Sequence, residues 1–176
     1  MKILGICGSP RKGNTEFMLK TVLNRAKELS AQTELIILRK KRIEHCDGCL
    51  SCDKTAKCHI KDDMQGIYPK MLEADVLIFG TPTYYASPSG LFKDFIDRTN
   101  PFCISEQLKN KFAGIIVTGE DTTLKSIKET AKIVKGFCLS HRMKLIGTVL
   151  GAGNITKNKK VIEKCSKLAE KIMKIK

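Results

Sequence analysis

Two rhythms of apolar residues alternate along the whole chain. "KILGIC" (2–7), "TELIIL" (33–38), "DVLIFG" (75–80), "KFAGIIVTG" (111–119) and "KLIGTVLG" (144–151) are short, nearly continuous apolar runs. Runs of this kind predict strands buried on both faces. Between them the apolar positions recur at helical spacing. Residues 14–30 put Leu19, Val22, Leu23 and Ala26 on one face, with Asn14 or Thr15 as cap. Asp62 caps a helix that ends near Glu73, with Gln65 in the capping-box position. Residues 88–98 form a helix with Pro88 in its first turn. Residues 123–138 carry Leu124, Ile127, Ala131, Val134 and Cys138. In the last stretch Val161, Ile162, Cys165, Leu168, Ala169, Ile172 and Ile175 recur at helical spacing, and lysines fall largely between them.

Five buried strands, each followed by a helix, predict an α/β fold with a parallel sheet covered on both faces. The length of 176 residues predicts one domain, 1–176, with a cysteine-rich loop insert at 45–60. No internal repeat, linker or low-complexity tract interrupts it. In such sheets ligands bind beyond the C-terminal ends of the strands, where the strand order switches. The loops after strands one, three and four are therefore where chemistry is expected.

Composition narrows the setting. The N-terminal "MKILGICGSP" has too short an apolar run for a signal peptide, and no run approaches membrane-spanning length. A cytoplasmic protein that makes no use of a membrane is expected. In a reducing compartment, closely spaced cysteines bind metal or do redox work more often than they form disulfides. The net charge of +14 fits a solvated lysine coat, attraction of an anionic partner, or nucleic-acid binding. With no Trp and no aromatic residues among the lysines, nucleic acid has little support.

The loop after the first strand, "GSPRKGNT" (8–15), runs into a helix start. Unpaired N–H groups and the positive end of the helix dipole suit a phosphate there. Ser9, Asn14 and Thr15 add donors, Arg11 and Lys12 add charge, and Gly13 permits a tight turn. The loop is neither a P-loop nor a G-x-G-x-x-G turn, and its shortness suits a monophosphate better than a pyrophosphate. After the third strand, "GTPTYYASPSG" (80–90) is stiffened by Pro82 and Pro88 and holds two of the three tyrosines, Tyr84 and Tyr85. These could stack a flat aromatic ligand or pack the loop onto the sheet, and the sequence leaves both open.

The densest feature is "CDGCLSCDKTAKC", with Cys46, Cys49, Cys52 and Cys58 spaced C-x2-C-x2-C-x5-C. Structural zinc draws its thiolates from two C-x2-C arms with a long gap between them, and this segment has no such gap. Dense C-x2-C-x2-C runs occur around iron–sulfur clusters, although there the fourth cysteine serves a second cluster. Buried or free thiols at this density are the weaker alternative. Asp47 and His45 read as neighbours rather than ligands. Cys7, Cys138 and Cys165 sit in apolar patterns and read as small core residues, whereas Cys103 has no clear pattern. No catalytic acid–base pair or nucleophile triad is visible, and none of His45, His59 and His141 has a partner apparent in the sequence.

Taken together, "GICGSPRKGNT", "CDGCLSCDKTAKCHIKDDM" and "ADVLIFGTPTYYASPSGLFKDFIDR" resemble the flavodoxin-like NAD(P)H-dependent FMN reductase superfamily, and within it the iron–sulfur flavoproteins. The resemblance covers nearly the whole chain. It implies a flavodoxin-like three-layer sandwich with a five-stranded parallel sheet in the order 2-1-3-4-5. FMN would lie on the strand C-termini. Ser9, Arg11, Asn14 and Thr15 match phosphate-binding positions, and Pro82, Thr83, Tyr84, Tyr85 and Ala86 match the loop that wraps the flavin ring. Cys46, Cys49, Cys52 and Cys58 match the ligands of a [4Fe-4S] cluster. It also implies a homo-oligomer, dimer or tetramer, in which the cluster of one subunit can face the flavin of another. One departure stands out. The loop after strand four, "TGEDTTL" (118–124), keeps Gly119 but places Glu120 and Asp121 where relatives are often glycine-rich. Carboxylates beside a flavin should disfavour its anionic reduced form and lower its potential.

The expected function is a redox protein with two cofactors, FMN and a [4Fe-4S] cluster, passing electrons from a one-electron donor such as an acidic ferredoxin. One alternative is an NAD(P)H-dependent FMN or quinone reductase without a cluster. The other is a zinc-binding interaction module.

Overall fold

The computed structural model describes residues 1–120 and 124–175. Strands β1 (Lys2–Cys7), β2 (Gln32–Ile37), β3 (Val76–Tyr84), β5 (Phe112–Gly119) and β6 (Lys144–Ala152) form a parallel sheet in the order β2-β1-β3-β5-β6. Strand β4 (Ser87–Pro88) only folds back on the end of β3, so the parallel order is the expected 2-1-3-4-5. The fold is a flavodoxin-like α/β sandwich. The helices are α1 (Asn14–Glu28), α2 (Ser51–Thr55), α3 (Met64–Glu73), α4 (Gly90–Asp97), α5 (Asn100–Ile104), α6 (Leu124–Ser140) and α7 (Lys159–Met173).

The sheet divides the interior in two. On one face Leu19, Val22, Leu23 and Ala26 of α1 meet Val161, Cys165, Leu168 and Ile172 of α7. On the other, Phe79 of β3 packs against Phe92, Phe95 and Phe137 with ring centroids 5.2–6.4 Å apart. Burying each of these rings or aliphatic side chains contributes about 1.5–3 kcal/mol, which is why the strands read as continuous apolar runs. Cys7, Cys138 and Cys165 are buried in these cores as expected. Burial pushes the Cys138 thiol up to about 12 and Cys165 up to about 11, so both stay protonated.

Several local expectations were overturned by tertiary contacts. Gly13, not Asn14 or Thr15, is the N-cap of α1 and no side chain caps it. Asn14 Nδ2 instead donates to the Gly153 carbonyl at 2.8 Å, and the Thr15 hydroxyl pairs with that of Thr118 at 2.7 Å. Pro88 lies in β4 rather than in a helix, and α4 is capped by Ser89, whose hydroxyl accepts from the Phe92 N–H. The capping box at α3 does not form. Asp62 accepts from the Met64 N–H at 2.9 Å, but Gln65 Nε2 reaches the Ile60 carbonyl at 2.8 Å instead. Leu124 is 55 % exposed, because the buried stripe of α6 begins at Ile127. The expected helix start at 123 lies outside the described residues.

Candidate functional site

A cleft of about 580 Å³ opens over the C-terminal ends of β1, β3 and β5, within the size range of cofactor pockets. Its floor is set by close backbone packing. The Gly8 N–H donates to the Gly80 carbonyl at 2.8 Å. A Cβ on Gly8 would stand 2.6 Å from Phe92 Cβ, and one on Gly80 would stand 2.6 Å from Leu19 Cδ1. A side chain at Gly8 would push the first loop off α4, and one at Gly80 would push β3 off α1. Ser89 fastens the two loops further, with its hydroxyl donating to the Gly8 carbonyl and its N–H donating to Thr81 Oγ1 at 3.1 Å.

Of the residues expected to hold phosphate, Ser9, Arg11, Asn14 and Thr15 all line this cleft. Ser9 Oγ donates to the Arg11 carbonyl at 2.7 Å and so shapes the turn. Thr15 is buried against Thr118. The first turn of the fifteen-residue α1 opens into the cleft beside them, with open space around Gly13. Together these make a donor-rich, cationic cradle suited to a phosphomonoester.

The opposite wall is Pro82, Thr83, Tyr84 and Tyr85. Thr83 is fixed to α6 through Thr130 Oγ1 at 2.6 Å and the Ser126 carbonyl at 3.2 Å. Tyr84 pairs with Ser87 across a two-residue hairpin. Its turn residues, Tyr85 and Ala86, have φ of 49° and 60°. Left-handed backbone at two successive non-glycine residues is costly, and such strain is typical of ligand-binding loops. Tyr84 is 41 % exposed and Tyr85 fully exposed, so neither packs the loop onto the sheet. Ala86 sits in the turn behind them and does not line the cleft. Gly119 and Glu120 form the third wall, while Asp121 lies outside the described residues. Sequence reasoning missed Thr118 and Gly153, which also line the cleft. Gly153, with φ of 65°, follows the last strand and donates its N–H to the Gly119 carbonyl at 3.0 Å. The "GAGN" turn was the available signal.

The cysteine loop forms a second site. Cys46, Cys49, Cys52 and Cys58 all line one hollow of about 40 Å³ and none forms a disulfide. Its neck is closed by a buried ion pair. Arg98, at the end of α4, donates to the two Asp62 oxygens at 2.6 and 3.1 Å, with both side chains 2 % exposed or less. The same guanidinium donates to the Glu44 carbonyl at 2.8 Å, before the loop, and to the Ile60 carbonyl at 3.4 Å, after it. Asp62 also accepts from the Glu44 N–H at 2.8 Å. Burial alone would raise the Asp62 pKa, but Arg98 and the Glu44 and Met64 N–H groups outweigh it and hold the carboxyl below its ordinary value.

Four cysteines line this one small hollow. Arg98 Nε, buried without a hydrogen-bond partner among the described residues, leaves a donor beside them. Asn100 Nδ2 already donates to Cys52 Sγ at 3.2 Å. A single tetrahedral zinc ion needs its four sulfurs about 3.8 Å apart. Among the described residues the one set of three possible ligand atoms lying within 4.8 Å of one another is Asp47, Cys49 and His59, with only a single cysteine. Elsewhere, Cys103 is half-buried with its thiol 3.5 Å from the Ser140 carbonyl. His141 is buried with Nε2 2.9 Å from Thr99 Oγ1, and burial lowers its pKa to about 4.

A doubly wound sheet whose strand ends carry an anion cradle on one side and an aromatic hairpin on the other defines a flavodoxin-like, flavin-dependent oxidoreductase. Comparison with known proteins agrees. The family model described as NADPH-dependent FMN reductase matches residues 1–155. An iron-sulfur flavoprotein of Methanocaldococcus jannaschii is 38% identical over 84% of this chain and 76% of its own length. One from Archaeoglobus fulgidus is 39% identical over 68% of this chain and 60% of its own length. The chain thus spans less than two thirds of that second relative. The chain belongs to the iron-sulfur flavoprotein family within the flavodoxin-like FMN reductase superfamily. Among solved structures, a flavone reductase superposes with a TM-score of 0.79 at 24% identity, covering 98% of this chain and 62% of that one. An NADH:FMN oxidoreductase superposes with 0.73 at 18%, covering 98% and 88%. These two likenesses concern the fold. Among the described residues no helix is long and apolar enough to cross a membrane.

Proposed function

We propose that the cleft holds FMN and that the protein is an NAD(P)H-dependent reductase. The observation that carries this reading is the convergence, in one cleft of about 580 Å³, of the α1 N-terminus with Ser9, Arg11 and Asn14 on one side and Tyr84 and Tyr85 on the other. Bound there, FMN would supply exchange of one or two electrons. Arg11 and the first-turn N–H groups of α1 would hold its phosphate. Pro82, Thr83 and Gly119 would bound the ring, and the hairpin tyrosines would be available to stack on it. The family model supports the reading, since NADPH-dependent FMN reductase is its description.

A second, finer reading is favoured by a specific observation, the hollow that Cys46, Cys49, Cys52 and Cys58 share. These residues would hold a [4Fe-4S] cluster, which would supply single electrons. Iron-sulfur flavoprotein is also how the relatives are described. The chain's part is then to hold the two ends of the four-cysteine loop together, through the Arg98–Asp62 neck, and to present a basic surface of net charge +14 to an acidic ferredoxin-type donor. Electron transfer from such a donor should slow sharply with added salt.

An anaerobic absorption spectrum, taken before and after reduction, tests both readings together with NAD(P)H oxidation assays. Flavin bands and rapid NAD(P)H oxidation without iron establish the reductase alone. Flavin bands on a broad shoulder that bleaches on reduction establish the cluster as well. Protein that takes up no FMN refutes the cleft assignment.

A further inference from the structure

The cysteine loop contains a second ligand set that crosses the first. Asp47, Cys49 and His59 each offer one ligand atom within 4.8 Å of the other two, and all three residues are exposed. Sequence alone does not suggest this set, because His59 follows Cys58 while Asp47 is twelve residues away. The fold of the loop brings His59 Nε2 to 2.8 Å from Asp47 Oδ2. The other carboxylate oxygen, Oδ1, accepts from the Cys49 N–H at 3.1 Å. This bond fixes the carboxylate and faces it toward Cys49, the kind of outer contact that orients metal ligands.

One oxygen, one sulfur and one nitrogen form a mixed donor set that suits a borderline divalent transition ion and is poor for Mg²⁺ or Ca²⁺. The dimensions are close to what such an ion needs. With metal–oxygen and metal–nitrogen bonds of about 2.0–2.1 Å, tetrahedral ligands stand roughly 3.3 Å apart. The carboxylate and imidazole therefore part by only about half an ångström to admit an ion between them. Exposure leaves the fourth position to water.

We propose that the cluster-free chain binds one divalent transition-metal ion of the Zn²⁺, Co²⁺ or Fe²⁺ type through Asp47, Cys49 and His59. Binding releases the Cys49 thiol proton to solvent, the proton that His59 Nε2 shares with Asp47 moves to Nδ1 or to solvent so that Nε2 can ligate, and no redox step is used. Cys49 also belongs to the four-cysteine set, so an ion here and a [4Fe-4S] cluster exclude each other. That consequence, unlike the site itself, rests on the cluster reading above. A chain loaded with the ion would have Cys49 capped and would be barred from building a cluster until the ion leaves.

The test uses the full chain, reduced and chelator-treated without oxygen, with FMN uptake reporting that each variant is folded. Co²⁺ is the probe, because tetrahedral coordination and a thiolate ligand give it distinct visible and near-ultraviolet bands. One equivalent is expected to bind. Affinity should fall at least tenfold in His59→Ala and in Asp47→Asn, and stay within about twofold in the Cys52→Ser/Cys58→Ser double variant. No Co²⁺ binding, an unchanged affinity in His59→Ala, or loss of binding in the double variant overturns the proposal, the last because it makes the ion a guest of the cysteines alone. The exclusion is tested by rebuilding the cluster from iron and sulfide after Zn²⁺ loading. Slower rebuilding in the parent but not in His59→Ala is expected, and equal rates in both refute the exclusion. If no variant builds a cluster, the cluster reading fails while the Co²⁺ result still decides the ion site.

Discussion

The cleft and the cysteine loop stand at the same molecule's surface but are built in opposite ways. The cleft is shaped by groups already bonded to one another: Thr15 to Thr118, Asn14 to Gly153, Ser89 to Gly8. The cysteine loop is fastened chiefly at its neck, by Arg98 and Asp62, with lighter ties from His45 to Asp94 and from Asn100 to Cys52, and its four cysteines are exposed or half-exposed. The cleft is preorganised for what it takes, whereas the loop is a tether whose contents await a partner. A preorganised site loses little freedom on binding, and a tethered one derives much of its order from what it binds.

The largest test of this contrast is Arg98→Ala. Removing one partner of a buried pair leaves Asp62 charged and uncompensated, which costs about 3–5 kcal/mol. Urea unfolding should show that loss, and limited proteolysis should cut first within 45–60. Replacing both partners, as Arg98→Met with Asp62→Leu, should cost much less.

The second test is pH. His141 supports α5 through Thr99, the neighbour of the Asn100 that reaches Cys52. Its pKa falls from 6.5 to about 4 on folding, because burial disfavours the charged ring. The unfolded chain therefore binds more protons between these values. The contribution to stability is complete above about pH 6.5, declines as pH falls, and is gone below about pH 4, a loss of about 3 kcal/mol. Denaturant midpoints at pH 7 and pH 5 should differ, and the difference should shrink in His141→Gln. FMN affinity should follow this change less than loop order does.

Smaller effects are expected at the cleft. Gly8→Ala forces a Cβ against Phe92 and should cost about 1–3 kcal/mol. It should weaken FMN binding while leaving iron uptake by the cysteine loop intact, and equal loss of both would blur the contrast. The smallest effect sharpens it. Replacing Tyr85-Ala86 by Asn-Gly relieves two left-handed positions and should stabilise the chain by about 1 kcal/mol in thermal melts. If Tyr85 covers the flavin, FMN should dissociate faster from that variant.

Much of the cleft was legible because its parts are local signals. "GSPRKGNT" announces a strand-to-helix turn, and the paired tyrosines announce an unusual loop. The cap of α1 was misread because Asn14 and Thr15 have better partners at Gly153 and Thr118, more than a hundred residues away. Gln65 likewise abandons the capping box for Ile60, where it helps to close the cysteine loop. Polar side chains near a helix start have several acceptors within reach, and the local rule fails when a distant one is closer.

The sequence by itself determined the alternation of strands and helices, the buried cysteines and the spacing of the exposed ones. Periodicity and spacing are properties of neighbouring residues, and burial of a continuous apolar run allows only a few sheet arrangements. Only the tertiary structure decided that Gly153 joins the cleft, that Arg98 ties the neck of the cysteine loop through Asp62, and that His59 meets Asp47. Each depends on loops whose paths are fixed by hydrogen bonds between residues far apart in the chain or turned back on themselves, and no local pattern encodes where such paths cross.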